Sequence, residues 1–590
     1  MNSKTKLIAK YLLIPLASIM MFLAIYPKLS LLNGGIGYGL GHKAMIDFEN
    51  SLLEAGVGNL FDKVALTDFK LTNIKLEILF VTIIYYSFFF ILKDNRYRYG
   101  LSLLPVVILY LFYDYYFVVF GKAFKFCDIS EMPEVIDVLP FWQVAGYISV
   151  LLGLIILLAI NCVKLWRRYI FPLFVVIAIT LILAFTPTLY LSLFKTVATW
   201  GATPWSDKHT AQNGYITTLL YFEAMMGNSK AMANEMYGDG IAYETSQKQL
   251  TQFLAEKSNA HNIHVVILES FFNPGLFAKI NYNGPTYDAK FSKLVGNRES
   301  TVISPVFGGR TAQAEFEVLC GVPALHKYSS IEFNSFTGEP VFCIPTLLKA
   351  AGYRVVATNA YKPFFFNATN AYKGIGFDEA YFPSQYAEKR KTYLSLVDES
   401  SQYIFDGDLL EQNLQFVKQH IESKSQQPLF NYVLGVYGHM PFDIDKKRHP
   451  LKLKAQILNK TLDDEYQRAI NQIFYRSQAL AHYLNQLMAL DPLSLIIVMG
   501  DHVPILLGSS KFYQQMGYRN NTNESIMKPS VFYIENGKFV KKEELHQYDM
   551  INVIFDYISA NQYCQTYPCQ KRSPETLAYE YNMIMAGALR

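Results

Sequence analysis

The sequence predicts two structural units: an α-helical membrane domain of five transmembrane helices over residues 1–190, and an extracytoplasmic α/β domain with a mainly parallel sheet over residues 257–590. Three observations predict it. Apolar residues, 51% of the chain, are concentrated before residue 195 in runs that suit a bilayer better than a soluble core. Lys and Arg between those runs fall into three clusters that five spans put on one side. From His261 onward, short β-branched runs alternate with helical periodicity, the pattern of strands covered on both faces by helices. A chain of 590 residues also exceeds what one hydrophobic core supports.

Taken in order, the apolar stretches cover residues 7–26, 73–92, 101–120, 143–162 and 169–190, each matched to a hydrocarbon core about 30 Å thick. The first is too long for a cleaved leader, has no small-residue cleavage site and is followed by further spans. Lys4, Lys6 and Lys10 precede it; Lys93, Arg96 and Arg98 join the second and third; Lys164, Arg167 and Arg168 join the fourth and fifth. The positive-inside rule makes these clusters cytoplasmic, and an odd number of spans then carries everything after residue 190 outside. Residues 191–256, with a moderately amphipathic run near Ile216–Met226 and a charged helix near Glu244–Lys257, read as interfacial linker helices or as ordinary packed ones.

In the polar half, strands are expected at Val265–Leu268, Arg354–Thr358, Tyr432–Val436, Ser494–Met499 and Val531–Ile534. Helices are expected near Ala314–Leu319, Thr346–Ala351, Leu409–Ile421 and Glu465–Leu490. A net charge of +4 without a basic run interleaved with aromatics excludes a nucleic-acid surface. The cysteines have neither Cys-x-x-Cys nor zinc-ligand spacing; Cys320 with Cys343 and Cys564 with Cys569 either pair, if this half meets an oxidising compartment, or remain thiols.

Ligands of such sheets bind beyond the carboxyl ends of the strands. Glu269 follows the first strand, His439 the third, and Asp501 and His502 the fourth. A further stretch, Gly308-Gly309-Arg310-Thr311, combines backbone free to approach an anion, a fixed cation and a hydroxyl at a helix start. Each piece has an ordinary reading: Glu269 and Thr311 as helix caps, Asp501 as a turn residue, His502 as a loop histidine, His439 as a partner of a backbone carbonyl. Their coincidence at strand ends points instead to a divalent-metal site, oxygen-rich and suited to manganese or magnesium, with zinc also accommodated.

In their order, Leu268-Glu269-Ser270, Gly308-Gly309-Arg310-Thr311 followed by Glu315-Phe316-Glu317, Gly438-His439-Met440-Pro441-Phe442 and Gly500-Asp501-His502 resemble the motifs of the lipoteichoic acid synthase family of sulfatase-like phosphoglycerol transferases. The five-span half is similar too. This resemblance implies an alkaline-phosphatase/sulfatase-like sandwich and one catalytic divalent ion, usually manganese. It implies Glu269, Thr311, Asp501 and His502 as metal ligands, Thr311 also as the nucleophile, and His439 as a substrate contact. The donor would be a phosphatidylglycerol-like membrane phospholipid, and the acceptor a hydroxyl of an envelope glycan or glycolipid. The catalytic domain would face outward from the cytoplasmic (inner) membrane of a bacterium.

One segment departs from the family pattern. Phe366, Asn367 and Ala368 stand where Trp-Asn-Arg is common, and Tyr361 where an acidic residue is common. Phe366 and Asn367 remain candidate substrate contacts, and Arg310 would take over phosphate charge from the missing arginine, with Lys362 and Lys373 as weaker candidates.

The chemistry fits these residues. A phosphodiester repels an attacking alkoxide, so its site must lower a hydroxyl's pKa and offset charge on the phosphoryl oxygens. A metal at Thr311 with Arg310 nearby meets both needs, and His439 supplies acid-base help. A sulfatase proper would need Cys or Ser in place of Thr311 to form formylglycine. The competing readings are a phosphoethanolamine transferase acting on lipopolysaccharide or glycan, and a non-catalytic envelope protein with a degenerate site.

Overall fold

The computed structural model describes residues 8–29, 75–120, 124–126, 141–162, 169–197, 213–238 and 240–590, apart from 329–330, 387–391, 396–402, 424–426, 459, 508–509, 520–523 and 570–571. Two compact units divide the chain, Met1–Ala231 and Met232–Arg590.

Helices of the first unit occupy the expected apolar stretches at Ile14–Leu29, Lys75–Ile91, Leu104–Phe120, Phe141–Asn161 and Ile170–Phe185. Among the described residues no single helix is both long and apolar enough to cross a membrane; one bent pair passes that test jointly. This pair replaces the continuous fifth span expected at 169–190. A proline disfavours helical backbone in the residue before it, so the helix stops at Phe185 and a second one starts at Pro187, bent by 94°. Lys10 reaches Asp94 in the loop that holds Lys93, Arg96 and Arg98, whereas Lys4, Lys6, Lys164, Arg167 and Arg168 lie outside the described residues.

Strands of the second unit are β1 (Ile263–Leu268), β2 (Asn281–Tyr282), β3 (Ser300–Ile303), β4 (Arg354–Asn359), β5 (Glu379–Tyr381), β6 (Leu429–Gly435), β7 (Ala455–Ile457), β8 (Lys460–Thr461), β9 (Leu495–Gly500), β10 (Ser530–Glu535), β11 (Lys538–Val540) and β12 (Leu545–His546). The main sheet runs in the order β12-β3-β10-β9-β1-β6-β4-β5, with β11 on β10; β2, β7 and β8 form a small separate sheet. From β9 to β5 every pairing is parallel. β10 turns antiparallel to β9, β3 and β11, so the sheet is mixed beyond its parallel centre. A short return from β10 to β11 through Asn536 and Gly537 is possible only between antiparallel strands.

Burial at every position of β1, β6 and β9 means that helices cover both faces. Asp406–Glu422 packs on Asp464–Leu490, and Thr311–Cys320 on Met550–Ile558. The helix Ile241–Lys257 buries Tyr243, Leu250 and Leu254 and packs on Ile344–Ala350. Disulfides join Cys320 to Cys343 and Cys564 to Cys569.

Candidate active site

Parallel register brings three strand ends level, since Leu268 pairs with Gly435 on one side and Gly500 on the other. Glu269 and Asp501 therefore leave adjacent strands at the same height, and the turn after β6 carries His439 beside them. The chains after these strands are so close that glycine is required twice. A Cβ on Gly438 would lie 2.1 Å from the Glu269 carbonyl oxygen, and one on Gly500 2.1 Å from that of Phe271.

Thr311 is placed from the other side of the pocket. Gly308, Gly309 and Arg310 all have positive φ, and this turn feeds the buried helix Thr311–Cys320. Gly308 N–H donates to Val503 O at 2.9 Å, which ties the turn to the segment just after His502. At the helix head, Thr311 Oγ1 donates to Glu269 Oε2 at 2.7 Å.

Glu269, Asp501 and His502 are buried, and one ligand atom from each lies within 4.8 Å of the others. His502 Nε2 stands 3.3 Å from Glu269 Oε1 and 3.2 Å from Asp501 Oδ2. Ser270 braces both carboxylates: its hydroxyl donates to Glu269 Oε1 at 2.9 Å and its N–H to Asp501 Oδ1 at 2.7 Å. Asp501 Oδ2 and His502 Nε2 are fully buried without a hydrogen-bond partner. Burial pushes the Asp501 carboxyl up to about 7, with the Glu269 charge adding to it. Burial pushes Glu269 the same way but is outweighed by the His502 and His439 imidazoles and the Thr311 and Ser270 hydroxyls, which hold it below the usual carboxylate range. Two orphaned buried atoms, two carboxylates in one low-dielectric pocket and an adjoining hydroxyl fit a divalent cation.

His439 is half-buried at the mouth. Its Nδ1 lies 2.7 Å from Met440 O and 3.4 Å from Tyr403 Oη, so Nδ1–H is held by the carbonyl and Nε2 is left to exchange protons. The ordinary reading of this histidine as a carbonyl partner thus describes one ring nitrogen and leaves the other for chemistry. Arg310 adjoins Thr311 in the chain but makes no hydrogen bond to the cluster; burial lowers its guanidinium from the usual value, with Glu332 opposing. Phe366 and Asn367 are not part of the cluster. Both adopt left-handed backbone, and Asn367 Nδ2 is spent on the carbonyls of Phe333 and Phe336, each at 2.8 Å. Phe366 packs on Phe365 with ring centroids 4.0 Å apart, and Ala368 is buried at the start of the next helix.

Two supporting groups, Arg476 and Gln547, escape sequence reasoning, and a third, Glu315, stands in a quoted motif without a role. Arg476, buried, donates from Nη2 to Glu269 O at 2.7 Å and from Nε to Asp406 Oδ2 at 2.6 Å, fixing the chain where it leaves β1. The signal was an arginine on the apolar face of Asp464–Leu490, in line with Ile473 and Leu480. Glu315 accepts from Tyr372 at 2.6 Å and Tyr432 at 2.8 Å; burial pushes it up to about 7 against those hydroxyls, and the Asp501 and Glu269 charges raise it further. Gln547 donates to Asp501 O at 2.8 Å, a contact with no local signal.

Residues 261–559 match the sulfatase family model. A putative cyclic beta-1,2-glucan modification protein of Rhizobium meliloti (strain 1021) is 24% identical over 265 residues, 44% of this chain and 37% of that protein. Lipoteichoic acid synthase 1 of Bacillus subtilis (strain 168) is 25% identical over 260 residues, 42% of this chain and 36% of that protein. The matched stretch thus spans little more than a third of these curated relatives. Among solved structures, the Streptococcus pyogenes phosphoglycerol transferase GacH in complex with sn-glycerol-1-phosphate is 15% identical, covering 61% of this chain and 92% of that one with a TM-score of 0.43.

Proposed function

The chain belongs to the sulfatase family, and from that premise we propose that it is a metal-dependent phosphodiester head-group transferase. It moves phosphoglycerol from a phosphatidylglycerol-like membrane lipid to a hydroxyl of an envelope glycan or glycolipid, through a phospho-threonine at Thr311. The observation that carries this reading is the Thr311 hydroxyl, 2.7 Å from Glu269 Oε2 at the head of a buried helix and beside the orphaned atoms of Asp501 and His502. Two disulfides support an oxidising, extracytoplasmic setting for this half of the chain.

Glu269, Asp501, His502 and Thr311 would hold the ion, probed first as manganese, and when bound it lowers the hydroxyl's pKa and offsets charge on the phosphoryl oxygens. Glu269 Oε2 orients the Thr311 proton and gives it a place to go as Oγ1 attacks phosphorus. As the new P–O bond forms, the bond to the lipid glycerol oxygen breaks, and His439 Nε2 gives that oxygen a proton to release diacylglycerol. In the second displacement His439 Nε2 takes the proton of the acceptor hydroxyl, whose oxygen attacks phosphorus as the bond to Thr311 Oγ1 breaks, and Glu269 Oε2 returns its proton to Oγ1. Arg310 adds fixed positive charge at the turn.

The same steps serve a phosphoethanolamine donor, and the observation favouring it is Ala368, apolar and buried where the resemblance leads one to expect a cation. Purified full-length protein with manganese and phosphatidylglycerol should release diacylglycerol, and exhaustive chelation should stop it. Full release after chelation would contradict the metal site, and release from phosphatidylethanolamine alone would replace the donor.

A further inference from the structure

Residues 446–460 hold five lysines, one arginine and no acidic residue, in a chain whose net charge is only +4. Within this run Arg448 pairs with Asp408, and Lys452 lies over the Phe474 and Tyr475 rings. Among the described residues, Lys446, Lys447, Lys454 and Lys460 are exposed and form no ion pair. Like charges gathered on one short stretch repel one another, so an uncompensated run of this kind signals an anionic partner.

The run ends in a hairpin. β7 pairs antiparallel with β8, Ile457 opposite Lys460, and Leu458 opens the turn between them with φ of 46°. Tight hairpin turns use this left-handed backbone but take it with Asn, Asp or Gly; a leucine there bears the strain without a local gain. Leu458 is also 89% exposed, more than any other large apolar side chain among the described residues. Neither turn chemistry nor packing accounts for it.

This tip is braced from behind. On the helix Asp464–Leu490, the buried Gln467 side chain accepts from Ala455 N–H and donates to Ala455 O, both at 3.0 Å, and Asn471 Oδ1 accepts from Lys452 N–H at 2.8 Å and Leu453 N–H at 2.9 Å. Asn283 Oδ1, just after β2, accepts from Lys454 N–H at 2.7 Å. The same helix holds the start of this segment beside the site: Arg468 Nη2 donates at 3.0 Å to the carbonyl of Pro441, two residues after His439. A braced apolar tip among unpaired cations matches a surface that is anionic outside and hydrocarbon within. A soluble polyanion would engage the cations and leave the leucine in water.

We propose that the β7–β8 hairpin docks on an anionic lipid bilayer, Leu458 entering the acyl boundary and Lys454 and Lys460 meeting phosphate head groups. This rests on the reading of the chain as a membrane-lipid transferase, and it keeps the segment leading from His439 at the surface that carries the donor.

Full-length protein with Cys127→Ser and Cys162→Ser is labelled at Leu458→Cys with an environment-sensitive fluorophore and placed in nanodiscs of phosphatidylglycerol or phosphatidylcholine, each with nitroxide-bearing acyl chains. In phosphatidylglycerol the label should be blue-shifted and quenched by the nitroxide, and less so in phosphatidylcholine; a label at Leu493→Cys, exposed at the amino end of β9, should show neither change. Lys454→Gln with Lys460→Gln should lower the docked-to-free ratio by roughly 30-fold, about fivefold for each lysine, and added salt should act in the same direction. Leu458→Ser should raise the KM for phosphatidylglycerol in nanodiscs and leave that for a water-soluble short-chain phosphatidylglycerol unchanged. A label at 458 that stays in water in both lipids, or that shifts with dextran sulfate and not with lipid, would overturn the dock, and turnover in the same sample would leave the transferase reading standing. Quenching in phosphatidylglycerol without any diacylglycerol release would uphold the dock and sink the transferase reading.

Discussion

Two parts of one sheet edge differ in how their side chains are held. At the ends of β1 and β9, strand register, Gly500, the close approach of Gly438 to the Glu269 carbonyl and a buried arginine fix Glu269 and Asp501, and the ligand atoms are shut away from water. At the ends of β6 and β4, His439 is half-buried, Met440 and Phe364 are exposed, and the contacts are ring against ring. Bond-making groups need placement within a fraction of an ångström, which hydrogen-bonded backbone supplies; recognition of a substrate's remote parts tolerates looser packing. On this account damage to the first part abolishes turnover through the nucleophile or the metal site, and damage at His439 slows proton transfer while leaving the metal site intact.

The largest effect is expected from Thr311→Ala. Loss of the nucleophile should lower transfer by about 10⁵-fold or more, while losing its hydrogen bond to Glu269 costs about 1 kcal/mol, too little to unfold the domain. Diacylglycerol release with circular dichroism as the fold control reads both. Asp501→Asn comes next. Removing one charge from a buried cluster should weaken manganese binding by roughly 10³-fold, which titration calorimetry reads without any substrate. His439→Ala should cost about 10²-fold in kcat, leave manganese affinity unchanged and so separate mouth from pocket; an equal loss of metal affinity would erase the distinction between the two parts.

The smallest effect concerns stability. Glu315 has its ordinary value of 4.5 raised to about 7 by burial in the folded chain. A carboxyl raised in this way stabilises the fold fully below its unfolded pKa, and that contribution is lost as pH rises through the folded one. Chelated wild type should therefore lose on the order of 3 kcal/mol through Glu315 between those two values, with Asp501 titrating over the same range, and Glu315→Gln should remove the Glu315 share and make that part of the curve shallower, read as urea midpoints across the range. An unchanged slope would show that Glu315 is not the titrating group.

The central strands were legible because they are apolar throughout and bounded by turn residues, and the strand-end positions of Glu269, His439, Asp501 and His502 followed from them. β3, β5 and β12 escaped notice because two to four residues carry too little periodicity, and β10 was read without its direction because strand sense is set by partners, not by its own residues. The bend at Thr186 was foreshadowed by Pro187, whose hydrophobic neighbours hid it in a run that reads as one span. Arg476 and Gln547 act through contacts more than 40 residues away in sequence, where local pattern carries no information. Asn367 shows the reverse limit: its place in a motif suggested substrate, whereas its amide is occupied by two backbone carbonyls.

The central claim is that Thr311 carries the head group between donor and acceptor. Wild-type protein incubated with manganese and phosphatidylglycerol in the absence of acceptor, quenched in acid and digested, should yield the peptide containing Thr311 with the mass of one phosphoglycerol added, in proportion to the diacylglycerol released. Diacylglycerol release with the Thr311 peptide unmodified throughout the time course would contradict it.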